Sequence, residues 1–460
     1  MIKGHKYAIL AAITAAHFAV PFMLSAIAVA LPAIGREFGA AATELSLVES
    51  SYIASVAVFL LPFGRISDAF GREFIFIAGQ VLYTVGTLVL GFSTNIYGFI
   101  LIRAVQGFAG AMIVSTALAV LTESFPREER GRALGISLTG VYLGISVGPT
   151  IGGMIVTHLG WRWILFLGFI IGAAALLVSL KTLNIRRLRP DNFRFDWPGN
   201  LLIALTLGPA VIGGAHFSAL TGKLALAVSL VFLFLFLIRE KKAPDPLVDL
   251  KMFRTNTTYS FGCIVQFISY AGTFGVTFLM SLYLQTVYGM SAAEAGTVLM
   301  VQPLTMAVTA PFSGNLADRL APNRVAAAGM VLCTAALAVL AFTGTDTTLY
   351  TILPALFALG LGIGLFTSPN MSIIMGSVPR SFYGAASAMT GEMRTIGMTF
   401  GMILIAVVLS LIMGSEQITP QTAESYVTAM RIALVILVVL TAAGAALSLK
   451  SPALADGGEE

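Results

Sequence analysis

The chain has 460 residues, a mean hydropathy of +0.90 and only 11% charged residues, where a soluble domain carries about 25%. Apolar runs of about 20 residues follow one another almost without pause, each long enough to cross a hydrocarbon layer of about 30 Å. The expected fold is therefore an all-α integral membrane protein, and a β-barrel is excluded because the runs are continuous rather than alternating.

Fourteen spans are predicted, at about 8–33, 44–63, 74–92, 97–121, 132–157, 162–181, 197–217, 222–238, 257–286, 294–315, 325–343, 349–376, 384–413 and 426–448. The first is too long for a signal-peptide core and is expected to stay as an anchor. With the N-terminus in the cytoplasm and each span reversing the side, 21 of the 27 Lys and Arg residues fall inside, clustered at Arg65–Arg72, Arg127–Arg132, Lys181–Arg194 and Arg239–Arg254. Three fall outside (Arg36, Arg162 and Lys223) and three lie within spans (Arg103, Arg394 and Arg431). This bias predicts a multi-pass plasma-membrane protein with both termini cytoplasmic. It accounts for the net charge of +5 without nucleic acid as a partner. The two cysteines, Cys263 and Cys333, fall in apolar runs and form no disulfide framework or metal spacing.

The second span ends in Gly64-Arg65-Ile66-Ser67-Asp68-Ala69-Phe70-Gly71-Arg72, which reads as a charged turn between two membrane helices. A variant returns at Gly314-Asn315-Leu316-Ala317-Asp318-Arg319. Asp68 and Asp318 each follow a glycine by four residues and stand 250 positions apart. The chain thus divides into a six-helix half (1–185), two additional spans with basic flanks (186–254), a second six-helix half (255–450) and a short disordered tail (451–460). Repeated halves are how many secondary transporters build a central site that opens to either side in turn. No soluble domain and no P-loop offer a place for an ATPase, and no H-E-x-x-H or His/Cys grouping points to an enzyme. No cofactor and no metal are expected.

In the fifth span, glycines at 140, 144, 148 and 152 fall at a four-residue spacing on one helix face, which permits close approach of another helix. Pro149 removes a backbone hydrogen bond and favours a bend. Charges inside the membrane are the leading site candidates, since each costs several kcal/mol unless paired or hydrated. Glu49 lies in the outer part of the second span and Arg103 in the outer part of the fourth. They could form a structural pair, Glu49 could take up a proton or sense a cation from outside, since burial disfavours the carboxylate form, or Glu49 could be a solvated rim residue. Glu392 and Arg394, in the thirteenth span, are two apart and do not face each other. His17 sits near the middle of the first span, as a packed core histidine or a proton site.

Five stretches together resemble the major facilitator superfamily, and within it the fourteen-span drug:proton antiporters. The Gly64–Arg72 stretch is similar to the family's loop between helices 2 and 3. Leu101-Ile102-Arg103-Ala104-Val105-Gln106-Gly107 is similar to its helix 4 motif, and Gly144-Ile145-Ser146-Val147-Gly148-Pro149-Thr150-Ile151-Gly152-Gly153 to its helix 5 antiporter motif. Gly160-Trp161-Arg162-Trp163 and Pro246-Leu247-Val248-Asp249-Leu250-Lys251-Met252-Phe253-Arg254 resemble the fourteen-span branch. One departure stands out: Val29-Ala30-Leu31-Pro32 is present, but Met23 occupies the place where many relatives carry a helix 1 acid, and Ala28 replaces a usual asparagine.

The resemblance implies two six-helix bundles plus two extra helices, working by alternating access. It implies a latch in which Asp68 pairs with Arg130 or Arg132, and proton handling by Arg103, while Arg394 would be structural. The cavity would be lined by the first, fourth, ninth and twelfth spans, giving Phe22, Met23, Met112, Ser115, Gln266, Tyr270, Phe274, Phe366, Ser368 and Asn370 as substrate contacts. The expected function is proton-coupled efflux of hydrophobic or cationic drug-like compounds by a monomer, driven by the proton gradient. The alternative is export of an endogenous metabolite or lipid on the same fold.

Overall fold

The structure is a computed structural model that describes residues 3–183, 196–243, 246–248, 250–345, 347–379 and 382–450. The side chains of 3–5, 127, 128, 130–132, 311, 315, 318 and 384 also lie outside the described set. The basic loop expected around Arg186–Arg194 and the tail 451–460 fall outside it as well.

Every regular element is helical, with no strand among the described residues. The first eight helices are α1 (Lys3–Phe38), α2 (Ala42–Phe70), α3 (Arg72–Gly91), α4 (Ile96–Ser124), α5 (Arg127–His158), α6 (Arg162–Thr182), α7 (Trp197–Ala215) and α8 (Leu220–Lys242). After the short α9 (Leu250–Thr255) come α10 (Thr257–Thr273), α11 (Val276–Leu282), α12 (Ala292–Leu299), α13 (Val301–Arg319), α14 (Pro322–Ala341), α15 (Leu349–Gly376), α16 (Tyr383–Ile412) and α17 (Ala423–Lys450).

Thirteen helical stretches among the described residues are long and apolar enough to cross a membrane. The remaining predicted span, 294–315, is divided into α12 and α13. Pro303 has no N–H, and its ring crowds the carbonyl four residues back, at Leu299, where α12 stops. The 257–286 span is likewise interrupted between α10 and α11 and ends in a π-helical turn, Tyr283–Val287.

The Gly64–Arg72 stretch is not a turn. α2 continues to Phe70, since no residue of 65–70 breaks a helix, and the chain reverses on Gly71 alone. Gly71 has φ +105°, which side-chain-bearing residues rarely adopt. Gly314–Arg319 is helical too, as the last turn of α13.

In the first half, α1 packs chiefly on α5, α2 on α4, and α3 on α4 and α6. In the last third, α14 packs on α15 and α17, α13 on α15, and α10 on α16. The two groups meet where α2 packs on α16, α5 on α12 and α13, and α1 on α11. α7 pairs with α8 and leans on α2 and α16, across that seam. An ion pair, Arg239–Asp196 at 2.9 Å, ties the end of α8 to the start of α7. Lys6–Glu129, Arg72–Glu123 and the Arg65 bond to the Pro246 carbonyl gather basic residues at one end of the bundle, hereafter the basic end. The opposite end is the far end.

Candidate functional site

The far end is closed between the halves by backbone contact that only small residues allow. A Cβ on Gly153 would stand 2.2 Å from the Ala292 carbonyl oxygen, and one on Gly296 2.0 Å from that of Pro149. Ser281 Oγ donates to the Ala28 carbonyl (2.7 Å) and Gln285 Nε2 to that of Val29 (2.9 Å). Gln417 Nε2 donates to the Gly39 carbonyl at 2.9 Å. The stripe Gly140, Gly144, Gly148 and Gly152 lies against α1 instead, facing Thr14, Phe18, Phe22, Ser25 and Ala26. The helix 5 motif thus divides its work: its four-spaced glycines seat α1, while Pro149 and Gly153 meet the other half.

At mid-depth, between the halves, half-exposed Tyr142 on α5 lies close enough to half-exposed Tyr270 on α10 and Arg394 on α16 to feel their charge, and this half-exposed meeting place is called the gap. His17 of α1 is held by Ser137 of α5, with Nδ1 and Oγ 2.7 Å apart. Both His17 and Tyr142 lie in the field of the Arg394 guanidinium, and Tyr142 in that of Tyr270. One layer further on, Asn370 Nδ2 donates to Gln266 Oε1 (2.9 Å) and to the Gly262 carbonyl (3.2 Å), joining α15 to α10.

A second polar centre is sealed inside the first half. Gly107 lets α4 approach α2 closely, since its Cβ would meet the Tyr52 carbonyl oxygen at 2.2 Å. That approach brings Arg103, wholly buried, to 3.8 Å from Glu49, which is 2% exposed. The guanidinium lies over the Tyr52 ring at 4.3 Å, and it donates to the Val48 carbonyl (3.3 Å) and to Gln106 Oε1 (3.1 Å). Gln106 in turn donates to Thr87 Oγ1 at 2.8 Å. Glu49 Oε1 and Arg103 Nη2 have no hydrogen-bond partner. The pair is an ion pair with capacity left over.

Four expected cavity residues point elsewhere. Met23 Sδ fills the space left by Gly168 of α6, and Met112 packs on Gly79 of α3. Phe22 is buried with its ring stacked on Phe18, and Phe366 packs against Val265, Ala326 and Met330. Ser368 approaches Gly314 of α13 (3.3 Å from the position of its Cβ), and Ser115 donates to the Met112 carbonyl. Tyr270 and Phe274 are half-buried. Arg431 caps the end of α14, donating to the Thr343 and Phe342 carbonyls.

The two charges of α16 separate. Gly391 faces Leu60 of α2, and Gly397 and Gly401 press on Phe267 and Ala271 of α10. At about 100° per residue, Arg394 falls between these directions, towards the gap. Glu392 falls on the opposite side with Ile403, which meets Gly214 of α7. Glu392 is wholly buried, and neither carboxylate oxygen has a partner among the described residues. At the basic end Asp68 pairs with Arg72 (2.6 Å), and Arg72 also with Glu123. The expected partner Arg130, like Arg132 and Asp318, has a side chain outside the described residues, and Arg319 is exposed. A Cβ on Gly64 would meet open space.

Sequence reasoning missed Tyr142, Ser137 and Ser146. The signal was the glycine stripe itself: fixing the face turned to α1 leaves Tyr142, Ser146, Pro149 and Gly153 together on the face turned to the other half. The run Gly144–Gly148 also spells G-x-S-x-G, but it lies mid-helix in α5 rather than on a strand-to-helix turn, and Ser146 Oγ has no partner.

The model of the Major Facilitator Superfamily matches residues 13–402 and 262–456. The chain belongs to the major facilitator superfamily. Within the superfamily it is 30% identical over 374 residues to the riboflavin transporter RibZ of Clostridioides difficile, covering 81% of each chain. It is 29% identical to the multidrug resistance protein Stp of Mycobacterium tuberculosis, covering 83% of this chain and 72% of that one. It is also 29% identical to the tetracenomycin C resistance and export protein of Streptomyces glaucescens, covering 89% and 77%. Among solved structures, a bacterial homologue of the lysosomal transporter Spinster, in an inward-facing and unoccupied conformation, superposes with a TM-score of 0.70 at 17% identity, covering 98% of both chains. That likeness bears on the fold. Membership in the superfamily makes this chain a multi-pass membrane transporter of small molecules.

Proposed function

We propose that the chain exports hydrophobic, drug-like compounds in exchange for protons, by alternating access between the halves 1–185 and 255–450, with 186–254 as a brace across the seam. The basic end and both termini lie in the cytoplasm of a prokaryotic cell, following the 21-to-3 distribution of basic residues. The working unit is a monomer, and its energy source is the proton gradient.

The observation that carries this reading is the buried Glu49–Arg103 pair, 3.8 Å apart with one oxygen and one nitrogen unsatisfied. It supplies the proton site that Met23, in place of a helix 1 acid, does not. Protonation of Glu49 removes the attraction and frees Arg103 to rely on Val48, Gln106 and Tyr52. Two states that differ in the α2–α4 contact would then bind a proton unequally, which is what coupling requires. Of the two substrate chemistries left open by the sequence, hydrophobic and cationic, the gap favours the first, because its one full charge is that of Arg394 among the described residues. The multidrug resistance protein and the tetracenomycin exporter support an export role. The riboflavin transporter supports a second reading, a dedicated metabolite carrier, which a panel with a single accepted substrate would establish.

The test is efflux of a hydrophobic fluorescent dye from proteoliposomes under an imposed pH gradient. Wild type is expected to accelerate with the gradient, and Glu49→Gln to lose that acceleration while keeping its fold. Equal acceleration in both removes Glu49 from the coupling.

A further inference from the structure

We propose that the gap between the halves holds a binding site for an oxyanion, a carboxylate or phosphate carried on an apolar body, with Arg394 as its charge partner. The inference rests on the reading that this gap is the substrate pathway, and it narrows the substrate class.

Arg394 stands at mid-length of α16 on the side turned to the gap, half-exposed, and makes no ion pair among the described residues. A guanidinium at that depth costs several kcal/mol unless it is paired or hydrated. Among the described residues no carboxylate pairs with it. Of the 22 acidic residues, only Glu49 and Glu392 lie in the interior of the predicted spans. Glu49 is committed to Arg103 across the α2–α4 contact. Glu392 is on the opposite side of α16, towards α7. Among the described residues no counter-ion is left for Arg394, so an incoming anion would exchange water for a charge partner there.

The neighbours of Arg394 suit an anion. His17, fixed by Ser137, and Tyr142 lie within the field of Arg394 from the first half, and Tyr270 of α10 lies near Tyr142. Phenol hydroxyls and an imidazole donate to an oxyanion and need no charge of their own. A guanidinium offers two parallel N–H groups to a carboxylate or phosphate. A cation in the same place would meet Arg394 with no acid to offset it. Phe274, half-buried on the next turn of the α10 side, gives the apolar body a surface. The same chemistry could come from a small amphipathic acid or from a lipid headgroup.

The experiment uses two dyes on one xanthene skeleton: fluorescein, an anion, and rhodamine 123, a cation. Their binding to the purified full-length protein in phosphatidylcholine nanodiscs is read by fluorescence anisotropy. Wild type is expected to bind fluorescein more tightly, by about tenfold or more, the worth of one charge-assisted hydrogen bond. Arg394→Gln should erase that preference, and Arg394→Lys should keep part of it, since the charge survives without the fork. Equal binding of the two dyes by wild type, or tighter binding of rhodamine 123, overturns the proposal, and this arm needs no variant to fold. Equal weakening of both dyes by Arg394→Gln, in protein that unfolds at the wild-type temperature, overturns it too. Nanodiscs containing phosphatidylglycerol separate the sources: competition that abolishes fluorescein binding supports the oxyanion site and assigns it to the lipid, and no competition assigns it to a small molecule. Dye flux in proteoliposomes is measured in parallel. Anion-selective binding without flux would sink the export reading and leave this site standing.

Discussion

Each half of the molecule carries one acid deep inside the membrane and one arginine at similar depth, Glu49 with Arg103 and Glu392 with Arg394, while Arg431 at the start of the last span caps α14; the two halves use these couples in opposite ways. In the first half they sit on neighbouring helices, α2 and α4, and close approach at Gly107 brings Glu49 and Arg103 to 3.8 Å. In the second half both sit on α16, two residues apart, so helix geometry turns Arg394 to the gap and Glu392 to α7. The first arrangement is a closed device whose charge state can change without exposing either member. The second leaves a cation open to whatever enters the gap and a carboxyl group with no partner among the described residues. The difference lies in spacing, not in composition: the same residue types pair across two helices and cannot pair at i, i+2 on one.

The comparison breaks most visibly at Arg103. Arg103→Ala strands a buried Glu49 and strips Val48, Gln106 and Tyr52 of their contacts, so a loss of about 3–5 kcal/mol is expected, read as thermal unfolding in detergent. The double variant Glu49→Leu/Arg103→Met should regain most of that stability while substrate-driven proton movement stays absent. Full proton movement in the double variant would remove the pair from the coupling.

A smaller effect, on the seam rather than the pair, is expected at Gly153. Its Cβ would meet the Ala292 carbonyl at 2.2 Å, so Gly153→Leu overpacks the far-end closure by about 1–3 kcal/mol. Flux should fall, and a cysteine placed at Ala28 should become reactive from the far end. Gly64→Ala is the control. Open space surrounds it, so it should alter stability by no more than about 0.5 kcal/mol.

A change of the opposite sign sharpens the second half of the comparison. Glu392→Met removes a buried carboxyl group with no partner and should raise stability by about 1–3 kcal/mol, measured as a higher unfolding temperature. A drop would reveal a partner for Glu392 among the side chains outside the described residues.

The sequence carried the spans, because apolar runs of about 20 residues announce themselves. It carried the meeting of Glu49 with Arg103 as one of three alternatives, because the depth of each in its span could be counted. It did not carry the cavity wall. Naming the cavity helices says nothing of which face lines the cavity, so Met23, Met112 and Phe366 were assigned to a gap that they turn away from. Glycines on the partner helices decide that question: Gly168 receives Met23 and Gly79 receives Met112. These contacts join residues far apart in the chain, and periodicity within one helix cannot reveal them. The charged turn at Gly64–Arg72 was misread for a local reason. Only Gly71 needs a positive φ, and the polar residues before it continue α2 as a helix.

The measurement that bears most directly on the central claim is proton release on substrate binding. Purified wild type and Glu49→Gln would be titrated with an exported dye in weakly buffered detergent, with a pH indicator in solution. Wild type should release protons as the dye binds, since proton and substrate compete for the two states, and Glu49→Gln should bind the dye and release none. Equal release by both proteins would contradict the account and move the proton site away from the α2–α4 pair.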